Sequence, residues 1–229
     1  MAKKFILSAL PIKKEFIVSG KVTHIYGPPK SGKSTLSANI AFEFVKHGKK
    51  VLIISTERPI EIRMNSMIDA KPTINATLLK DIMTSEIYSF EELIKVINQD
   101  LPNYIKNIDL IIIDSLTASY RFDAGPINLT LLRKALSSLQ AIALSQQKAI
   151  MFTNQVAALM NGTNDFRPVA SASTRYYSDI TIRLSRTRDG RTELSFEDQK
   201  GMEIESLEPF SIIPAGIEEF ERLFHILTE

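Results

Sequence analysis

Residues 27–35 combine the residue types needed to bind a polyphosphate. They read Gly-Pro-Pro-Lys-Ser-Gly-Lys-Ser-Thr and match the pattern G-x-x-x-x-G-K-[ST] between an apolar run and an amphipathic stretch. Glycines let the backbone wrap around phosphates, and amides at a helix N-terminus attract the anion. The predicted nucleotide-binding residues of this segment are Gly27, Pro28, Pro29, Lys30, Ser31, Gly32, Lys33, Ser34 and Thr35.

Two side chains are expected to hold Mg²⁺ beside the phosphates. One is the hydroxyl of Ser34, which follows Lys33, whose ammonium would neutralise charge on the β- and γ-phosphates. The other is Asp114, which ends the aliphatic run 110–113 and should emerge at the carboxyl edge of a parallel sheet. An Asp after such a run is also a common helix N-cap, and the phosphate loop is what favours the metal role. The sequence therefore predicts a bound nucleoside triphosphate and Mg²⁺.

Glu57 and Gln155 end two further apolar runs. A carboxylate beside a γ-phosphate can orient or deprotonate the attacking water, although Glu57 would also suit the first turn of a helix. Gln155 follows Asn154 and could sense the γ-phosphate and pass its state to the polar segment that comes next. We therefore predict Glu57, Lys33 and Gln155 as the catalytic residues.

The elements that must position these residues alternate along the chain. Strands are predicted at residues 22–26, 51–56, 110–113, 149–153, 180–185 and 192–196, the last two joined by a turn at Asp189-Gly190. Helices are predicted at residues 36–46, 59–68, 75–83, 89–101, 129–146 and 217–227. Runs without a polar face are typical of parallel strands covered on both sides, so we predict a three-layer α/β fold.

Composition excludes several classes of protein. The chain has 229 residues and no Cys, which removes disulfides, thiolate metal sites and Cys nucleophiles. No run reaches about 18 apolar residues, so we expect no membrane association and a cytoplasmic location. The net charge of +2 hides an asymmetry: residues 1–50 carry ten Lys against two Glu, whereas residues 197–229 carry nine acidic against two basic side chains. The acidic end could meet a basic partner.

Four motifs in this order resemble the RecA/RadA recombinase superfamily. They are GPPKSGKST (27–35), IISTE (53–57), LIIIDS (110–115) and FTNQV (152–156). The chain resembles short archaeal RadA paralogues of the RadB or RadC kind. This resemblance implies one RecA-like P-loop NTPase core over residues 1–229, with a mostly parallel central sheet extended by antiparallel strands near the C-terminus. Residues 1–20 would form an N-terminal strand or arm.

The resemblance also implies a DNA-binding surface. Residues 157–164 and 166–179 correspond to the two DNA-facing loops of the family, in which arginines pair with phosphates and tyrosines stack on bases. The tyrosines would equally suit packing against the next strand. Arg58 would stack on the adenine, although the spacing is shorter than in the family. The predicted DNA-binding residues are Arg167, Arg175, Tyr176, Tyr177, Arg186 and Arg188.

The function implied by the resemblance is a slow ATPase of DNA repair and recombination that binds single-stranded DNA and modulates the main RadA recombinase. The family's Phe-x-x-Ala polymerisation motif has Ser8 in place of Ala, counted from Phe5, which favours a monomer or small oligomer over a long filament. Alternatives are an ATP-gated module that docks to RadA or another RadA paralogue, and a KaiC-like signalling ATPase. A small-molecule P-loop kinase fits the Asn-Gln strand end poorly.

Overall fold

The computed structural model describes residues 5–71, 76–158 and 166–228. The strands are β1 (Phe5–Ala9), β2 (Lys14–Val18), β3 (Val22–Tyr26), β4 (Val51–Ser55), β5 (Ile82–Glu86), β6 (Leu110–Asp114), β7 (Ala149–Asn154), β8 (Val156–Ala158), β9 (Phe166–Pro168), β10 (Ile180–Arg186), β11 (Thr192–Glu197), β12 (Glu203–Ser206), β13 (Ile212–Ile213), β14 (Gly216–Ile217) and β15 (Phe224–Thr228). The helices are α1 (Lys33–Lys46), α2 (Ile60–Ala70), α3 (Phe90–Lys95), α4 (Leu101–Tyr104), α5 (Pro126–Gln146), α6 (Ser171–Tyr176) and α7 (Phe220–Leu223). Within the described ranges, no helix has the length and apolar character needed to cross a membrane.

Eight strands form one central sheet in the order β12-β11-β10-β3-β7-β6-β4-β5. Each neighbouring pair from β10 to β5 is parallel. The pairs β10–β11 and β11–β12 are antiparallel and extend one side of the sheet. This arrangement confirms the predicted mostly parallel sheet with antiparallel strands added near the C-terminus. It also brings the carboxyl ends of β3, β4, β6 and β7 to one edge.

Different helices cover the two faces of this sheet. Because successive side chains of a strand point to opposite faces, Ile112 of β6 packs into one core and Ile111 into the other. The first core also contains Phe44 of α1 and Met64 of α2. The second contains Leu139 of α5, together with side chains of α3 and α4. The sheet is therefore the middle of three layers, as the aliphatic runs predicted.

The N-terminal residues are built into the body of the molecule. Strands β1 and β2 form an antiparallel hairpin, and β15 pairs with the other side of β1 in a three-stranded sheet. Phe5 is 2% exposed, and its ring centroid lies 4.2 Å from that of Phe44. The predicted N-terminal strand is therefore present, and this part of the chain packs against α1.

Two predicted helices are wrong. Asn75 lies outside the described residues, and the rest of the predicted helix at 75–83 is a 3₁₀ turn, Ala76–Asp81, followed by edge strand β5. The helix predicted at 217–227 is reduced to the single turn α7, after which the chain extends into β15. In both places, pairing with a distant strand overrides local helical spacing. The helix that opens at Ser89 is confirmed, although a π-helical segment, Val96–Asp100, interrupts it.

Candidate nucleotide-binding site

The loop between β3 and α1 has the conformation of a phosphate-binding loop. Gly32 lies immediately before α1 with a φ of 101°, a value that side chains other than glycine rarely adopt. A Cβ atom on Gly32 would lie 2.2 Å from Cδ1 of Ile212, and one on Gly27 would lie 2.3 Å from the carbonyl oxygen of Leu184. Both glycines are therefore required by close packing, and the N-terminus of α1 that follows them is a helix end that attracts an anion.

A cavity of about 660 Å³ lies beside this loop, at the carboxyl edge of the sheet. Most residues of the loop line it, but Pro28 and Ser31 do not. Ser31 is fully buried and supports the loop by accepting a hydrogen bond at its carbonyl from Thr192 Oγ1 at 3.4 Å. The predicted residues outside the loop that line the cavity are Glu57, Arg58, Asp114 and Gln155. The structure thus brings the four sequence motifs together around one space.

The ammonium of Lys33 closes the loop on itself. Its Nζ donates to the carbonyl oxygens of Gly27 at 2.8 Å and of Pro28 at 3.0 Å. Burial lowers the pKa of Lys33, while the carboxylates of Asp114 and Glu57 oppose that shift. A phosphate entering the loop would offer this cation a charged partner in place of two neutral carbonyls.

Hydrogen bonds between β4, β6 and β7 fix the two carboxylates. Thr56 Oγ1 donates to the carbonyl oxygen of Ser115 at 2.6 Å and accepts from the Ser115 amide at 3.0 Å, which joins the ends of β4 and β6. The carboxylate of Asp114 accepts a hydrogen bond from Thr153 Oγ1. Glu57, the residue after Thr56, is exposed in the cavity. These contacts hold Asp114 and Glu57 near the carboxyl ends of neighbouring strands.

Gln155 contacts the predicted catalytic glutamate directly. Its Nε2 donates to Oε1 of Glu57. On the other side, the carbonyl oxygen of Gln155 accepts from the Val169 amide at 2.9 Å. One residue therefore touches both Glu57 and the segment that leads into α6, as a sensor of the γ-phosphate would need to do.

The donor set beside the loop suits Mg²⁺. Ser34 and Asp114 both line the cavity and offer a hydroxyl and a carboxylate, the hard oxygen ligands that Mg²⁺ prefers. Magnesium is commonly held by one or two protein side chains and by phosphate oxygens, so these two residues suffice on the protein side. The residues present therefore fit the ion that the sequence predicted.

The sequence did not predict a further wall of the cavity. Arg63 of α2 donates from Nε to Thr35 Oγ1 at 3.0 Å and from its two terminal nitrogens to the carbonyl oxygens of Ile213 and Pro214 at 3.0 and 3.1 Å. Arg121 also lines the cavity. These residues come from distant parts of the chain and follow no spacing rule, so no sequence signal marked them.

Arg186, predicted to contact DNA, lies instead at the nucleotide cavity. It ends β10, lines the cavity and donates from Nε to the carbonyl oxygen of Lys30 at 3.2 Å. Its partner there belongs to the phosphate loop. The position favours a contact with nucleotide over a contact with DNA. Arg58 is exposed and lines the same cavity, so its predicted stacking on adenine stays a prediction.

Arg175 is a second correction to the predicted DNA-binding set. Its side chain is 11% exposed, and its Nη1 lies 2.7 Å from Oε2 of Glu197, whose side chain is 2% exposed. Its Nη2 donates to the hydroxyl of Tyr26 at 3.2 Å. These contacts occupy the guanidinium inside the protein, so Arg175 does not present its charge to a DNA backbone.

Of the other predicted DNA contacts, three lie at the surface and one is half-buried. Arg167 and Arg188 are exposed, and Tyr176 is 73% exposed. Tyr177 is half-buried and packs against the second core. Residues 159–164, which make up most of the first predicted DNA-facing loop (157–164), lie outside the described residues. Short strands β8 and β9 and helix α6 give structure to the segment that the sequence predicted as loop.

Comparison with known proteins shows the family of this chain. The family model described as Rad51 matches residues 12–219. The chain belongs to the Rad51 family. Among curated relatives, a protein described as DNA repair and recombination protein RadB from Methanococcus maripaludis strain C5 is 30% identical over 203 residues, covering 86% of this chain and 90% of the relative.

Two more RadB proteins show the same relationship. The one from Methanosphaera stadtmanae is 31% identical over 179 residues, covering 76% of each chain. The one from Methanococcoides burtonii is 30% identical over 177 residues, covering 75% of this chain and 77% of the relative. The predicted resemblance to RadB-like archaeal paralogues is thereby confirmed. The Rad51 family is a family of ATPases, which supports a P-loop ATPase in general.

Proposed function

We propose that this chain is an ATPase of DNA repair and recombination that binds single-stranded DNA and modulates the RadA recombinase. One observation carries the proposal: the carboxylate of Glu57, held by Gln155, shares a cavity with Lys33 and Asp114. This set contains a base, a phosphate-binding cation and a metal-binding carboxylate. The names of the RadB relatives support the assignment to DNA repair and recombination.

In the proposed reaction, Glu57 orients and deprotonates the water that attacks the γ-phosphate. Lys33 leaves the carbonyls of its own loop and binds the phosphates, and the amides at the start of α1 stabilise their charge. Ser34 and Asp114 would hold Mg²⁺, which neutralises phosphate charge when bound. Gln155 holds the Glu57 carboxylate in the direction of the cavity.

We expect turnover to be slow without DNA. Lys33 donates to two carbonyls of its own loop, and Glu57 accepts a hydrogen bond from Gln155, so both groups must exchange partners before the reaction. Gln155 also contacts Val169, at the start of the segment that we propose faces DNA. Binding of DNA to that segment would shift Gln155 and so adjust Glu57, which gives a route for stimulation.

The proposed DNA surface is smaller than the sequence predicted. It retains Arg167 and Tyr176, both exposed, as a phosphate contact and a base-stacking residue. Arg188 lies on the exposed turn between β10 and β11 and extends this surface. Arg175 and Arg186 are omitted because they bind Glu197 and the phosphate loop. The mixed charge of the chain, +2 in total, fits a local contact rather than a wholly basic coat.

A protein partner is supported by the outer strand β5 of the central sheet. Within the described residues, β5 pairs only with β4, and it exposes Met83, while Tyr88 just beyond it is 56% exposed. An unpaired strand edge with apolar side chains can add a strand from another protein. We propose that RadA or another RadA paralogue binds here. This edge equally supports the alternative of an ATP-gated interaction module.

ATP turnover with and without a single-stranded oligonucleotide tests the proposal. We expect DNA to stimulate the wild type, and Tyr176→Ala to weaken DNA binding about tenfold while leaving turnover without DNA unchanged. Arg222→Ala, at an exposed ion pair with Glu219, is the control and should behave as wild type. If the wild type hydrolyses ATP but neither binds DNA nor responds to it, the interaction module or a KaiC-like signalling ATPase replaces this function.

A further inference from the structure

A buried polar layer lies between the central sheet and the segment that runs from β9 through α6. We define this polar layer by five residues: His24, Tyr26, Asn154, Arg175 and Glu197. Their residue exposures are 0%, 2%, 0%, 9% and 7%. Elsewhere on this face, helices α3 to α5 pack on the sheet through aliphatic and aromatic side chains. The segment over the polar layer is therefore attached by directional bonds rather than by shape alone.

Arg175 is the centre of the first set of bonds. Its guanidinium pairs with Glu197 at 2.7 Å and donates to the Tyr26 hydroxyl at 3.2 Å, and its Cζ lies 5.4 Å from the Tyr26 ring centroid. The Tyr26 hydroxyl donates in turn to Oε1 of Glu197 at 2.7 Å. The three groups close a ring of interactions, so displacing α6 would leave a buried carboxylate without its cation.

Asn154 makes the second set of bonds. Its Nδ2 donates to the carbonyl oxygen of Val169 at 3.0 Å and lies 3.1 Å from Nε2 of His24. Its Oδ1 accepts from Thr117 Oγ1. Asn154 therefore ties the end of β7 to the residue that precedes α6 by two positions.

Both sets of bonds end one residue away from the nucleotide cavity. Tyr26 immediately precedes Gly27, the first residue of the phosphate loop, and Asn154 immediately precedes Gln155. We infer that Arg175 is a positioning residue that couples the segment from Phe166 to Tyr176 to the phosphate loop through Tyr26. This inference rests on the proposed function, because it requires that the cavity bind ATP.

The physical reason for coupling is that the contact among Arg175, Tyr26 and Glu197 is polar, is buried and joins α6 to the sheet. Apolar contacts tolerate small relative displacements, whereas a buried ion pair forms only in a narrow geometry and is costly to break by removing one partner. When nucleotide draws the phosphate loop around its phosphates, the position of Tyr26 depends on the position of the loop. Arg175 then transmits the position of Tyr26 to α6, and by reciprocity a ligand bound to α6 changes the affinity of the cavity for the nucleotide.

The test compares two variants that each remove one buried hydroxyl from β3. Tyr26→Phe removes the hydroxyl that contacts Arg175 and Glu197. Thr23→Val removes a hydroxyl that donates to the Phe16 carbonyl at 2.8 Å and has no part in the polar layer. Both hydroxyls are buried, so a general loss of packing or stability would affect both variants. A loss of coupling between the phosphate loop and α6 would appear only in Tyr26→Phe.

The measurement is hydrogen exchange of a peptide covering residues 166–178, with and without saturating Mg²⁺ and a non-hydrolysable ATP analogue. We expect the analogue to change exchange in the wild type and in Thr23→Val. In Tyr26→Phe, that change should be at least about threefold smaller. Arg175→Lys keeps the charge but not the planar fork, and should reduce the change in the same way.

Binding of the analogue is measured separately by calorimetry, so that the two proposals fail differently. If the analogue binds but exchange of residues 166–178 does not respond in the wild type, the coupling is wrong and the ATP site stands. A full response in Tyr26→Phe also overturns the coupling. If the analogue does not bind at all, the proposed function fails, and the inference fails with it.

Discussion

At the scale of single residues, the interior of the sheet determines the chemistry of His24. Its ring lies between those of Phe152 and Tyr26, with centroid distances of 4.9 and 5.5 Å. Burial, and then the charge of Arg175, lowers the pKa of His24 to about 3. The ring is therefore neutral at ordinary pH, and Asn154 Nδ2 lies 3.1 Å from its Nε2. A lone His in a strand is here a core residue and no metal ligand.

This neutral histidine predicts an acid-dependent loss of stability. Because the folded pKa is about 3 and the ordinary value is 6.5, the unfolded chain binds the proton first as pH falls. The free energy of unfolding should therefore decrease between about pH 6.5 and pH 3, with a contribution from His24 of at most about 1.4 kcal/mol per pH unit. Urea unfolding of the wild type and His24→Phe across this range measures the difference.

The exposed His225 supplies the control for that experiment. His225→Gln should keep the wild-type pH dependence, whereas His24→Phe should have a shallower one. Equal slopes for wild type and His24→Phe would contradict a neutral, buried His24.

At the scale of elements, the hairpin formed by β13 and β14 completes the nucleotide cavity. Arg63 binds the carbonyls of Ile213 and Pro214, and Asn39 of α1 accepts from the Ile217 amide at 2.9 Å. Ile212 lies over Gly32 of the phosphate loop. The hairpin is thus attached to α1 and α2 and forms the apolar wall of the cavity.

Loss of Arg63 should release this wall. We expect Arg63→Ala to raise KM for ATP about tenfold, because hydrogen bonds from a charged group to Thr35, Ile213 and Pro214 are lost, and to leave kcat nearly unchanged. Steady-state ATP turnover measures both values. Arg222→Ala is the matched control on an exposed arginine. An unchanged KM in Arg63→Ala would show that the hairpin does not contribute to nucleotide binding.

The elements also show what the sequence could and could not predict. Aliphatic runs such as residues 110–113 predicted the central strands, because a short run without a polar face fits a parallel strand that is covered on both faces of the sheet. Strand β5 was missed because its residues Met83 to Glu86 are exposed and carry no apolar pattern. Strand β15 was missed because its partner, β1, lies at the other end of the chain.

The same reasoning applies to the site. A local motif marked the phosphate loop, and strand ends marked Asp114, Glu57 and Gln155, since parallel strands bring their carboxyl ends together. Arg63 comes from a helix and its partners from a distant hairpin, so only tertiary packing reveals it. Arg175 was predicted as a DNA contact because the family resemblance places it in a DNA-facing loop, and neither the resemblance nor the sequence shows that its side chain is buried.

At the scale of the whole molecule, the basic and acidic ends of the chain meet. Strand β15 pairs with β1, and Lys46 bonds to Glu221 at 3.1 Å and to Glu43 at 3.1 Å. Part of the acidic C-terminal region is therefore paired with basic side chains of the same molecule, which weakens the expectation that this region meets a basic partner. Since Phe5 is buried and β1 has a neighbour on each side, this strand has no free edge to join a second copy.

This arrangement predicts a monomer or small oligomer. With Mg²⁺, ATP and single-stranded DNA present, light scattering should give a mass near 25.7 kDa or a small multiple of it, and electron microscopy should show no filaments. Phe5→Ala should lower the free energy of unfolding by about 3 kcal/mol without changing the mass, because it removes a core ring. Filaments that lengthen with protein concentration would contradict this account.

The most direct test of the central claim is ATP turnover by Glu57→Gln, with ATP binding measured on the same samples. Glu61→Gln is the matched control, since Glu61 lies nearby in α2 and does not line the cavity. The account predicts that Glu57→Gln binds Mg²⁺-ATP with nearly wild-type affinity but loses about a hundredfold in turnover, because it lacks the base. Glu61→Gln should turn over as wild type. Wild-type turnover by Glu57→Gln would contradict the assignment of this cavity as an ATPase site driven by Glu57.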